Sequence, residues 1–76
     1  MYDQEDLTDL IDLIYEYNLP LSIEDICSSL GFSKEKVALI LDMLYSCGLI
    51  KIEDSYIIPL VSYEYAILVA EELGNE

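Results

Sequence analysis

Arginine, histidine and tryptophan are all missing from this sequence, and three lysines stand against sixteen acidic residues for a formal net charge of -13. Without histidine no side chain has an ordinary pKa near neutrality. General acid–base catalysis would then fall to a carboxylate held in a pocket, and a serine or cysteine nucleophile would lack its usual base. The three glycines, at 31, 48 and 74, are too scattered to make a phosphate-cradling loop. Two cysteines are too few for structural zinc, and the carboxylates lack the glycine-containing loop of a calcium site. The chain is therefore expected to be a non-enzyme without cofactor or metal. Long apolar runs are missing too, since none nears the roughly 18 residues that span a bilayer. The opening Met1-Tyr2-Asp3-Gln4-Glu5-Asp6 lacks the basic start of a signal peptide, so a cytoplasmic protein without membrane contact is expected.

What the chain does have is apolar residues, 54% of the total. That fraction separates it from disordered sequences, which combine high charge with low hydrophobicity. Seventy-six residues give room for one domain, 1–76. Such a domain buries about 60% of its unfolded surface, so the core must be economical or shared with a partner.

Leu7, Leu10, Ile11 and Ile14 recur at helical spacing and predict a helix over 3–17, which Asn18-Leu19-Pro20 ends. Ser22, with Asp25 three residues on, caps a second helix over 22–30 whose inner stripe is Ile23, Ile26, Cys27 and Leu30. Gly31 closes it, and Ser33 opens a third helix over 33–47 with Val37, Ile40, Leu41 and Leu44 turned inward. After Gly48 the period changes from 3.6 to 2. Leu49-Ile50-Lys51-Ile52 and Tyr56-Ile57-Ile58-Pro59-Leu60 flank a turn at Asp54-Ser55, predicting a two-stranded wing over 49–60. Ser62 caps a last helix over 62–73, stopped by Gly74. On this reading Cys27 lies on a core face among acidic neighbours, which disfavour a thiolate, and Cys47 lies near a helix end. Free thiols are the expectation.

Leu21-Ser22-Ile23-Glu24-Asp25-Ile26, then Leu30-Gly31-Phe32-Ser33, Val37, Leu44 and Gly48-Leu49-Ile50, resemble the core of small winged helix-turn-helix proteins of archaea and bacteria, over about two thirds of the chain. The resemblance implies a mainly α fold with a small β-hairpin, in the order helix-helix-helix-strand-strand-helix. It fits regulators, replication and transcription subunits and pure interaction modules alike.

In DNA-binding members of that family the solvent face of the third helix enters the major groove. Here that face is expected to carry Lys34, Glu35, Lys36, Ala38, Leu39, Asp42 and Met43. Lys34 and Lys36 suit phosphates, but Leu39 and Met43 stand where base readers belong, Asp42 repels a polyanion, and no bidentate donor is present. The wing has Lys51 as its sole cation beside Glu53 and Asp54. Residues 34–50 sum to zero charge, which keeps a face-on approach to DNA open, yet the far field of the whole chain opposes it.

Two further surfaces invite partners. Asp3, Asp6, Asp9, Asp12 and Glu16 line the outside of the first helix, either as a solvated face or as a docking surface for a basic protein. Tyr65 to Ala70 is apolar at every position, more than one packing stripe needs. Tyr63, Ile67 and Leu68, with Tyr15 and Tyr17, are candidates for a homodimer seam or for a roof over the core. The leading expectation is a non-catalytic acidic protein-interaction module, an accessory subunit or regulator of archaeal or viral replication or transcription machinery, holding its partner through Leu39, Asp42, Met43 and the acidic first helix. The alternative is a dimeric DNA-binding regulator that reaches phosphates through Lys34, Lys36 and Lys51.

Overall fold

Each helix begins where a side chain satisfies amides that the helix itself leaves open. In the computed structural model, which describes residues 2–17 and 20–74, the Asp3 carboxylate accepts from the Asp6 amide at 2.9 Å and the Asp6 carboxylate accepts from the Asp3 amide at 3.4 Å. This reciprocal cap opens α1 (Gln4–Glu16), and Tyr17 follows it in extended conformation. Asn18 and Leu19, expected to end the helix, lie outside the described residues. The expected ends at 3 and 17 are thus capping positions that flank the helix.

Leu21–Ser22 forms a short strand, β1, and Ser22 also caps α2 (Ile23–Leu30) in a reciprocal pair with Asp25. Gly31 closes α2 at φ +71°, its amide donating to the Cys27 carbonyl at 2.9 Å. Ser33 caps α3 (Lys34–Ser46) by accepting from the Lys36 amide at 3.1 Å. The chain then enters the hairpin of β2 (Ile50–Glu53) and β3 (Tyr56–Pro59) before α4 (Tyr63–Gly74), where Ser62 accepts from the Tyr65 amide.

The expected hairpin over 49–60 is present as β2 and β3, and β1 adds a third strand that was not expected: the sheet order is β1-β3-β2, all antiparallel, with Leu21 opposite Ile57 and Ser22 opposite Tyr56. A two-residue strand has no period of its own, and only β3 gives it one. Pro59 ends β3 opposite Ile50, and the Leu60 amide beyond it donates to the Leu49 carbonyl at 2.9 Å. Antiparallel ladders alternate, so Pro59 occupies a position that owes β2 no hydrogen bond.

Leu7, Leu10, Ile11 and Ile14 of α1 are buried, as are Val37, Ile40, Leu41 and Leu44 of α3. Of the stripe expected on α2, Ile26 alone is fully buried, with Ile23, Cys27 and Leu30 half-buried against it. Leu13, Leu49, Ile50, Ile57, Ala66 and Ala70 complete a core in which no buried side chain among the described residues is polar. The described residues thus make four helices and a small three-stranded antiparallel sheet, a mainly α architecture. Among them no helix is long and apolar enough to cross a membrane.

Asp54 and Ser55 join β2 to β3 with φ of 52° and 70°. Both lie in the left-handed region of a type I′ hairpin turn, where glycine is favoured at the second position. Replacing Ser55 with glycine is expected to stabilise the chain by about 0.5 to 1 kcal/mol, the relief of left-handed strain exceeding the added flexibility of the unfolded chain. A higher urea midpoint at unchanged slope supports this geometry, and a lower midpoint contradicts it.

Candidate interaction surface

The capped start of α3 and its inward stripe fix which residues point out. Lys34, Glu35, Ala38, Leu39, Asp42 and Tyr45 are exposed, with Leu39 at 51% and Tyr45 at 58%. Two residues expected on that face are placed otherwise. Met43 is half-buried and packs on the core, because it follows Ile40 by three positions and shares its side of the helix. Lys36 turns toward α1, its Nζ 3.0 Å from the Asp6 carboxylate and 4.6 Å from the centroid of the Phe32 ring. Lys51 pairs along its own strand with Glu53 at 3.1 Å, both well exposed, a contact that adds little stability. The structure therefore does not bring the three lysines together as a phosphate-binding set.

A groove runs between α3 and the hairpin. Ile23, Ala38, Leu41, Asp42, Tyr45 and Ile52 line a hollow of about 430 Å³. An adjoining hollow of about 620 Å³ shares Ile23 and Ala38 and extends over Tyr56 to Glu24, Lys34, Asp54 and Ser55. Ile52 is 45% exposed although it lies on the same sheet face as buried Ile50, since it stands nearer the hairpin tip, beyond the cover of the core. Sequence reasoning named Ala38 and Asp42 but missed Ile23, Tyr45, Ile52 and Tyr56. The available signal was spacing: Ala38, Leu41, Asp42 and Tyr45 follow i, i+3, i+4 and i+7 on one side of α3.

The acidic stripe of α1 is partly occupied within the molecule. Asp3 and Asp6 cap their own helix, Asp6 also holds Lys36, and Asp12 accepts from the Tyr63 hydroxyl at 2.5 Å. Asp9 and Glu16 remain exposed. Two of the three tyrosines expected at a dimer seam likewise meet inside one chain. Tyr15 and Tyr63 pack edge to face with centroids 5.6 Å apart, and the Tyr15 hydroxyl donates to the Val61 carbonyl at 2.6 Å. Ile67 is half-buried against the core, whereas Tyr17 and Leu68 are 52% and 55% exposed. Both cysteines are free, Cys27 half-buried and Cys47 exposed.

Three groups titrate away from their ordinary values. The Lys36 hydrogen bond holds the Asp6 carboxyl below the usual range against the opposing effect of burial. Burial raises the Tyr15 hydroxyl, and the hydrogen bond to Asp12, followed by burial and the nearby Asp12 and Glu64 charges, raises that of Tyr63. None of the three lines the groove, whose chemistry is an apolar floor under a charged rim.

A lowered folded-state pKa means that the stabilisation from Asp6 is present above the ordinary value of 3.8 and is lost as pH falls through the lowered one. Tyr63 has the opposite sign, its contribution being complete below pH 10 and lost as pH rises through the raised value. Lys36→Met keeps an unbranched side chain and removes the charge, so the Asp6 carboxyl, followed by NMR, is expected to titrate at higher pH than in the unaltered chain. An unchanged titration would show that Lys36 does not hold it. No known family model, curated protein or solved structure matches this chain.

Proposed function

We propose that this chain is a non-catalytic, acidic winged helix-turn-helix module that binds protein, serving as an accessory subunit or regulator of replication or transcription machinery. The order of α2, a short turn at Gly31-Phe32-Ser33, α3 and a hairpin directly after it supports the winged-helix reading. The observation that carries the functional part is the placement of the cations. Phosphate contacts need donors free to reach the backbone, and here Lys36 is tied to Asp6 while Lys51 is paired with Glu53. Lys34 is left beside Glu35 on a chain of net charge -13. The outward side of α3 offers Leu39, and Tyr45 and Ile52 line the hollow at its flank, each between 45% and 58% exposed; these suit a protein contact better than a base edge.

Selection from a random-sequence duplex library at about 50 mM salt, where phosphate attraction is strong, tests this reading, with the mass of the chain in solution recorded alongside. No enriched sequence is expected. Enrichment of a palindrome by a dimer, abolished when Lys34, Lys36 and Lys51 are changed to alanine, would replace the proposal with the DNA-binding regulator. Against basic components of the replication and transcription apparatus, Leu39→Glu with Tyr45→Glu is expected to abolish capture. Both positions are exposed, so the thermal midpoint should move by no more than about a few degrees. Unchanged capture would count against this face.

A further inference from the structure

We infer that the groove between α3 and the hairpin holds the apolar face of a basic amphipathic helix from a partner protein. The inference rests on the protein-binding reading and adds the chemistry of the partner.

Single exposed apolar residues are ordinary on any surface. Here Ile23, Ala38 and Ile52 converge on one concavity, with Tyr45 and Tyr56 at its margins, 58% and 47% exposed. An apolar concavity of this kind gains from burial in a way that a convex patch does not. Its rim carries Glu24, Asp42 and Asp54 against a single lysine, Lys34. Among the described residues none of these three carboxylates forms an ion pair, so their charge is open to an incoming cation.

Charge complementarity then selects the occupant. A second copy of the chain brings another -13, and nucleic acid brings its phosphates, so both are repelled over a range of about a Debye length. A segment with an apolar stripe and flanking lysines or arginines meets the floor with the stripe and the rim with its charges. A helix supplies such a stripe at i, i+3, i+4 and i+7, the spacing that docks into grooves. Addition of a strand is disfavoured because the outer edge strand, β2, carries the Lys51 and Glu53 pair, and charges on an edge discourage further pairing.

The test uses the full chain and three synthetic peptides: an amphipathic helix with leucines at helical spacing and lysines elsewhere, a scramble of the same composition, and the first peptide with glutamate for lysine. Anisotropy of the labelled peptides gives affinity, and amide NMR shifts give the site. The basic amphipathic peptide is expected to bind with shifts centred on Ile23, Ala38, Tyr45 and Ile52, at least about tenfold more tightly than the scramble, with no binding of the acidic peptide. Ala38→Gln fills the floor without altering charge and is expected to weaken binding about tenfold. Asp42→Asn is expected to weaken it less and to flatten its salt dependence. Equal binding of the scramble, absence of binding, or shifts centred on α1 or α4 would overturn the groove assignment and leave the protein-binding reading standing. That reading fails separately, on enrichment of duplex in the low-salt selection.

Discussion

A shortage of positive charge constrains everything else in this molecule. A buried carboxylate needs a partner to offset its desolvation, and sixteen acids share three lysines. The fold meets this by burying only apolar side chains: leucine, isoleucine, valine and alanine fill the core, and no acid among the described residues is buried. With no polar network inside to fix the packing, shape complementarity among these residues specifies it. Helix α1 is the common support, since it packs against α4, α2 and β3. Leu7, Leu10 and Ile11 are its most deeply set residues, at 2%, 0% and 2% exposure.

The same shortage shapes the surface. Acids near helix starts act as caps, where they face the positive end of the helix dipole and satisfy amides at the same time. The one interhelical ion pair among the described residues, Lys36 with Asp6, joins α3 to α1 and withdraws a cation from the outward face of α3. Holding the two helices together and offering that lysine to phosphate are competing uses of one side chain. The ammonium of Lys36 over the Phe32 ring adds a second reason for its inward course.

Much of the fold was legible in the residues because short-range rules governed it. Ser22 with Asp25, Ser33, Ser62, Gly31 and Gly48 mark helix boundaries through backbone hydrogen bonding and left-handed geometry, which depend on a few neighbouring residues. The inward stripes of α1 and α3 follow the helical period and are buried as their spacing implies. Strand β1 was not legible, because two residues carry no alternation and their pairing partners lie 34 to 36 positions away. The reciprocal cap of Asp3 and Asp6 was hidden by its resemblance to an acidic stripe of three-residue spacing, where a cap and a solvated face look alike.

The site was less legible than the fold. Sequence placed Leu39, Ala38 and Asp42 outward, since a helix surface follows from its period. It also placed Met43 and Lys36 outward. Their direction depends on what lies across from them, the core for Met43 and Asp6 of α1 for Lys36. By itself the sequence determined the boundaries of the helices, the left-handed turns and the apolar stripes, all products of local sterics and hydrogen bonding. Only the tertiary structure decided that Tyr15, Tyr63 and Asp12 meet one another, and that Ile52 from the hairpin stands beside Ala38 and Tyr45 from α3. Those contacts join residues distant along the chain, and packing of whole elements sets them.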